Sequence, residues 1–258
     1  VTVVERALQR TPEQIETFYR RVMRPVFGPL LRYHDFALRG AEQVPDGALV
    51  LSTHAAVTYD LILVLVAFQE QTGRVMHGLA DDMWFERAGL RHTIGRLGEG
   101  IGSVPASPGV ARRLLDAGKI VGVAPGGSRE LLRPSTQRHR HCWERRRGFV
   151  RLALATGAPV VLCTAPAADR VYDVRPSWLS DAVYRRFRLP LPMVRGVGPT
   201  PWPRKVKITH HFSAPIQVPR VRGDPDATLL EQTHRRLCDA MDAHIAACCA
   251  LEGLTRGR

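Results

Sequence analysis

His54 and Asp60 are a pair of side chains with the means to move a proton. They bracket the stretch Thr53-His54-Ala55-Ala56-Val57-Thr58-Tyr59-Asp60, which joins a short apolar run, 48–52, to a helical pattern over 60–71. A neutral imidazole that takes the proton of a hydroxyl turns a poor nucleophile into a good one. A carboxylate beside it selects the ring tautomer and steadies the imidazolium that forms. A turn between strand and helix brings Asp60 back toward His54. The same residues also have a purely structural use: an aspartate in a first helical turn suits the helix dipole, and His54 is then an ordinary loop histidine.

A second candidate is Pro125-Gly126-Gly127-Ser128-Arg129-Glu130, directly after a strand-like run over 119–124. Paired glycines let backbone N–H groups approach a ligand closely, and Arg129 offers paired donors to a phosphate or carboxylate. The plain alternative is a tight turn carrying an Arg129–Glu130 surface pair. Arg145-Arg146-Arg147 is either a solvated face or an anion site. His139-Arg140-His141-Cys142 and His210-His211 hold metal-binding side chains, but no zinc spacing supports them; they fit a solvated loop and alternating strand positions. Gly98-Glu99-Gly100-Ile101-Gly102 has Ser103 where a dinucleotide fingerprint needs its third glycine. The absence of a Gly-x-Ser-x-Gly elbow argues against an α/β-hydrolase.

These residues need elements to hold them. The first helix starts at a capping box, Thr11 with Gln14, and Pro12 suits its first position. Ile15, Phe18, Tyr19, Val22, Met23, Val26, Phe27, Leu30 and Leu31 then recur at helical spacing, with Arg20, Arg21 and Arg24 beside them. Pro25 and Pro29 are expected to kink or split this helix. It either caps the core or lies in a membrane interface with its arginines on acidic headgroups. Beyond it, strands over 48–52, 74–79, 119–124, 159–164 and 205–212 alternate with helices over 60–71, 110–117, 147–156 and 227–251. That alternation predicts an α/β fold with a largely parallel central sheet flanked by helices. The expected organisation is an amphipathic helical segment, 1–35, followed by one domain, 36–258. Ligands bind such sheets outside the carboxyl ends of the strands, so the loops after Ser52, Ala124 and Thr164 are where chemistry belongs.

Composition narrows the partners. With 258 residues, 45% hydrophobic and 24% charged, the chain is globular rather than disordered. Its longest apolar run, 61–68, falls well short of the ~20 residues of a membrane-spanning helix. The first ten residues lack the apolar stretch of a secretion signal. Five cysteines without framework spacing fit a reduced cytosolic compartment. The formal charge of +13 predicts attraction to nucleic acid, an acidic lipid surface or phosphate-bearing substrates. With aromatics at only 7%, base-stacking nucleic-acid binding is poorly served. Trp178, Phe187, Leu189, Leu191 and Met193, interleaved with Arg185, Arg186, Arg188 and Arg195, form a candidate interfacial patch.

The ordered set STHAAVTYD, GSVPAS, VAPGGSREL and RRRGFVRLALATGAPVVL, within residues 36–216, resembles the phospholipid/glycerol acyltransferase (lysophospholipid acyltransferase) superfamily. It is most similar to the monoacylglycerol and diacylglycerol acyltransferase branch, with five residues between His54 and Asp60 and a Pro-Gly-Gly-x-Arg-Glu block. The resemblance implies a glycerolipid acyltransferase-like fold. It implies transfer of a fatty acyl group from acyl-CoA or acyl carrier protein to a hydroxyl of a lysophospholipid or a mono- or diacylglycerol, with no further cofactor and no metal. It makes His54 the general base and Asp60 its orienting carboxylate. Gly102, Ser103, Val104 and Pro105 would line the acceptor side. Pro125, Gly126, Gly127, Ser128, Arg129 and Glu130 would bind substrate, with amides of 126–128 on the oxyanion and Arg129 on a phosphate or other polar group. The expected location is peripheral, on the inner face of the cell membrane, against an anionic lipid surface and without nucleic acid. The sequence departs from the superfamily pattern at Ala55, where a glycine is usual, and at Leu162, where a proline is common. A lipid-binding scaffold without catalysis and an arginine-rich nucleic-acid binder are the alternatives.

Overall fold

The computed structural model describes residues 3–9, 11–55, 59–81, 98–178, 186 and 193–254. Helix α1, Val3–Gln9, precedes the first expected helix. Helix α2, Pro12–Phe18, opens on the anticipated capping box: the Gln14 N–H donates to Thr11 Oγ1 at 3.3 Å, and the Thr11 N–H donates to Gln14 Oε1 at 3.2 Å. A π-helical turn, Tyr19–Met23, leads into α3, Arg24–Tyr33. The widened turn sits just ahead of Pro25, which lacks an N–H and would crowd the preceding carbonyls of a regular helix. The helical chain is therefore not split at either proline, and Pro29 lies inside α3. Tyr19 and Met23 are buried with Val66 and Ile101, so this face packs on the domain, while Arg20, Arg21 and Arg24 remain exposed.

Seven strands form one sheet: β1 (Ala37–Arg39), β2 (Leu49–Ser52), β3 (Met76–Ala80), β4 (Val104–Pro105), β5 (Ile120–Val123), β6 (Val160–Thr164) and β9 (Thr209–Phe212). Their order is β1-β9-β6-β2-β5-β3-β4. β6, β2, β5, β3 and β4 are parallel; β9 runs antiparallel to β6 and carries β1 parallel to itself. β7 (Asp173–Arg175) and β8 (Met193–Arg195) form a separate antiparallel pair.

Helices cover both faces. They are α4 (Tyr59–Thr72), α5 (Pro108–Asp116), the one-turn α6 (Ser128–Leu131), α7 (Gly148–Thr156) and α8 (Ala227–Leu251). Successive strand side chains point to opposite faces, and the two cores divide accordingly. Leu49, Leu51, Val160 and Leu162 pack with α5, α7 and α8, whereas Val50, Val161 and Cys163 pack with Val64 and Phe68 of α4. Burial on both faces is why the strands read as continuous apolar runs. Trp143, fully buried, meets Phe149 edge-on at 5.3 Å between centroids and anchors the loop ahead of α7.

The expected strand over 205–212 is half as long. Only Thr209–Phe212 pairs as a ladder; Ile208 instead donates its N–H to the His34 carbonyl at 3.0 Å and accepts from Ala37 N at 3.0 Å. Ser107 starts α5, but its side chain makes no cap bond. Among the described residues, no helix is long and apolar enough to cross a membrane.

Candidate active site

The five parallel strands end on one edge of the sheet, and the three loops anticipated there meet. His54 follows β2, Glu130 and Arg133 follow β5, and Asp169 follows β6. The His54 backbone N–H donates to Glu130 Oε2 at 2.8 Å, and the Cys142 N–H donates to Glu130 Oε1 at 2.7 Å. Arg133 donates to the His54 carbonyl at 3.2 Å, to Asp169 Oδ1 at 2.6 Å and to the Arg140 carbonyl. The His139 N–H completes the frame on Asp169 Oδ2 at 2.8 Å. Glu130 is 1% and Arg133 7% exposed. Both backbone polar groups of His54 are thus bonded by buried side chains, Glu130 on the N–H and Arg133 on the carbonyl, and burial raises the Glu130 pKa to about 7.

The His54 residue as a whole is half-buried, while its Nδ1 is enclosed and has no hydrogen-bond partner. Burial, and then the Arg133 charge, pull its pKa down to about 4, so the ring is neutral at pH 7, as a base must be. Asp60 opens α4 and is buried, with Oδ1 also unpartnered. Burial and then the Asp169 charge raise its pKa to about 7, against the pull of the Asp60 and Leu61 amides and Arg133. Its other oxygen lies 3.6 Å from His210 Nε2. Among the described residues no ion pair joins Asp60 to His54 directly; each presents one open atom of the kind the other needs. Residues 56–58, between them, lie outside the described residues.

The remaining expected site residues fall into two groups. Gly102 packs on the backbone of Met76 at the start of β3, and Val104 is 1% exposed in the core. Ser103 is half-buried beside Gly98, and Pro105 pairs with Ala80 at the carboxyl end of β3. Of this block, Pro105 is therefore the member at the reactive edge. Pro125 and Gly126 are buried. Of the three amides expected on the oxyanion, the Gly127 N–H is already spent on the Ala124 carbonyl at 3.1 Å. Gly127 has φ +52° and only open space where a Cβ would stand. A Cβ on Gly126 would lie 2.0 Å from Glu130 Cδ, so this glycine exists to let the carboxylate fold beneath the loop. Arg129 is exposed. The surface-pair alternative for Arg129 and Glu130 does not hold, because Glu130 turns inward to two backbone amides.

Several residues have other work than the sequence suggests. His139 is buried in the Asp169 frame, not solvated. His210 and His211 are both buried despite adjacent strand positions; His211 bonds Glu252 at 2.9 Å. Among the described residues no group of three or more His, Cys, Asp or Glu is placed to hold a metal. Arg147 is a structural clamp, forked on Glu231 at 3.0 and 3.1 Å, while Arg145 and Arg146 are exposed. Of the interfacial patch, Trp178 and Met193 are 80% and 56% exposed; residues 187, 189 and 191 lie outside the described residues. Arg133 and Asp169 escaped sequence reading: their partners are 79 and 36 residues away, and neither carries a spacing signal.

The fold and this edge define a glycerolipid acyltransferase-like α/β protein, and residues 44–246 match the family described as diacylglycerol acyltransferase, to which the chain belongs. Among its relatives, the uncharacterized protein Rv0502 of Mycobacterium tuberculosis is 32% identical over 207 residues, 73% of this chain and 55% of its own. The mouse protein named "DGAT1/2-independent enzyme synthesizing storage lipids" is 24% identical over 215 residues, 82% of this chain and 61% of its own. Its human counterpart is 25% identical over 218 residues, covering 82% and 62%. The chain thus spans little more than half the length of the curated relatives it matches.

Proposed function

We propose that this protein transfers a fatty acyl group from a thioester, acyl-CoA or acyl carrier protein, to a hydroxyl of a glycerolipid. The observation that carries this is His54 at the carboxyl edge of β2, its backbone N–H and carbonyl both bonded by buried side chains, in a chain of this family, with Asp60 in the first turn of the next helix. His54 takes the proton of the acceptor hydroxyl, and the oxygen attacks the thioester carbonyl. The oxyanion is met by the backbone N–H groups of Gly126 and Ser128, since that of Gly127 is spent on Ala124. It then collapses, the C–S bond breaks, and the thiolate leaves with the proton returned by the imidazolium. An ester and a free thiol result. Asp60, once ionised, stabilises the imidazolium. A mono- or diacylglycerol acceptor is favoured over a lysophospholipid by the storage-lipid relatives. Contact with an anionic membrane face is favoured by the +13 charge and the exposed Trp178 and Trp202.

The test is thiol release from palmitoyl-CoA with a panel of lipid alcohols, for wild type and His54→Ala. Acceptor-dependent release that disappears in the variant is expected. Acceptor-independent release would make the protein a thioesterase. Residual transfer by His54→Ala within a few-fold of wild type would remove the general-base role.

A further inference from the structure

Beside the reactive edge, between the segment after β6 and the segment leading to β9, lies a cleft of about 530 Å³ lined by Arg138, Arg170, Asp173, Arg204, Lys205 and Val206. Among the described residues Asp173 is its only acidic group, and both its oxygens are taken. Arg138 donates to Oδ1 at 2.6 Å and Arg204 to Oδ2. These bonds hold the Asp173 pKa down at about 2, so the carboxylate is charged across the physiological range. Arg138 is further tied to the Asp169 and Tyr172 carbonyls, and Arg204 to the Gly196 carbonyl at 3.0 Å. Two guanidinium groups are thereby fixed in place before any ligand arrives. Arg170 and Lys205 are exposed and have no acidic partner among the described residues. Four cations against one carboxylate leave three positive charges in excess, with Arg138 and Arg204 held in place and Arg170 and Lys205 exposed to meet phosphate oxygens.

The cleft is also built into the frame that grips His54. Arg138 Nε donates to the Asp169 carbonyl at 2.8 Å, the Asp169 carboxylate holds Arg133, and Arg133 holds the His54 carbonyl. A coenzyme A thioester divides in the same way, with its nucleotide phosphates and its reacting carbonyl as separate groups joined by a pantetheine arm, as the cleft and His54 are separate places joined by this frame. We propose that the Arg138–Arg170–Arg204–Lys205 cleft binds the phosphate groups of a coenzyme A donor. This rests on the acyltransfer reading and makes coenzyme A, not acyl carrier protein, the carrier.

The test uses the double variant Arg170→Ala/Lys205→Ala, which spares the two arginines that hold Asp173. KM for palmitoyl-CoA should rise about tenfold, the equivalent of ~1.4 kcal/mol. kcat, and KM for the N-acetylcysteamine thioester of palmitate, which has no phosphate, should stay within twofold. Equal KM changes for both donors, or none, would overturn the assignment while leaving acyltransfer intact. If wild type turns over no thioester, direct binding still decides. Tighter binding of coenzyme A than of its 3′-dephospho form, with the difference lost in the variant, supports the cleft; no difference overturns it. Loss of binding to phosphatidate vesicles with palmitoyl-CoA kinetics unchanged would move the phosphate from donor to lipid headgroup and likewise overturn it.

Discussion

Glu130 accepts the backbone N–H of His54 at 2.8 Å, across 76 residues of chain, and its second oxygen accepts the Cys142 N–H. A glycine-rich turn after one strand thus fixes the candidate base after its neighbour. Glu130→Ala leaves two buried amides without an acceptor, at about 1–3 kcal/mol each, and frees the His54 loop. We expect a lower urea midpoint and a kcat reduced about 10²-fold, the scale of a misplaced catalytic group. Glu130→Gln, which keeps one carbonyl acceptor, should fall between. Full kcat in Glu130→Ala would show that the carboxylate does not position the base.

Gly126→Ala should resemble Glu130→Ala, because the added methyl would occupy the place of the Glu130 carboxyl, 2.0 Å from Cδ. Overpacking of this kind typically costs about 1–3 kcal/mol. The decisive measurement is the double variant. Removing the Glu130 side chain removes the clash, so Gly126→Ala should add little on top of Glu130→Ala in chemical denaturation. Simple additivity would mean that the two residues do not share this space.

The contrast between Glu130 and Arg133 shows what the sequence disclosed and what it withheld. Strand–helix alternation was legible because β2, β5 and β6 are buried on both faces and read as apolar runs, and it pointed to the three loops that meet. His54, Asp60 and the paired glycines stood out by type and by position after those strands. The frame under them did not, since Arg133, Asp169 and His139 are joined only through the folded sheet. The β7–β8 pair and β1 were hidden for a related reason. Each strand is three residues long and is defined by its partner, Arg39 by His211 and Asp173 by Arg195, more than by its own pattern.

Arg133→Ala should be the most damaging single change near the site. It leaves the Asp169 carboxylate, whose side chain is only 11% exposed, without its cation. Breaking a buried pair from one side typically costs about 3–5 kcal/mol. Arg133→Lys keeps the charge but lacks the fork that reaches Asp169, His54 and Arg140 together. Adding Asp169→Asn to Arg133→Ala should recover part of the lost thermal stability, with activity still low because the His54 carbonyl remains unheld. A double variant no more stable than Arg133→Ala would show that the cost is lost packing and not a stranded charge.

Asp60→Asn separates stability from activity through pH. The Asp60 pKa is raised from 3.8 to about 7, chiefly by burial, so the folded state holds a proton that the unfolded chain gives up. This contribution to stability is fully present below 3.8 and is lost as pH rises through about 7. Asparagine does not titrate and escapes the loss. The melting temperature of Asp60→Asn relative to wild type should therefore be higher at pH 8 than at pH 5. Catalysis should run the other way: wild-type kcat should climb through pH ~7 as Asp60 ionises and supports the His54 imidazolium. Asp60→Asn should be slow and lack that limb. A wild-type profile flat from pH 6 to 8, or the same limb persisting in Asp60→Asn, would assign the ionisation elsewhere and leave Asp60 as the start of α4 alone.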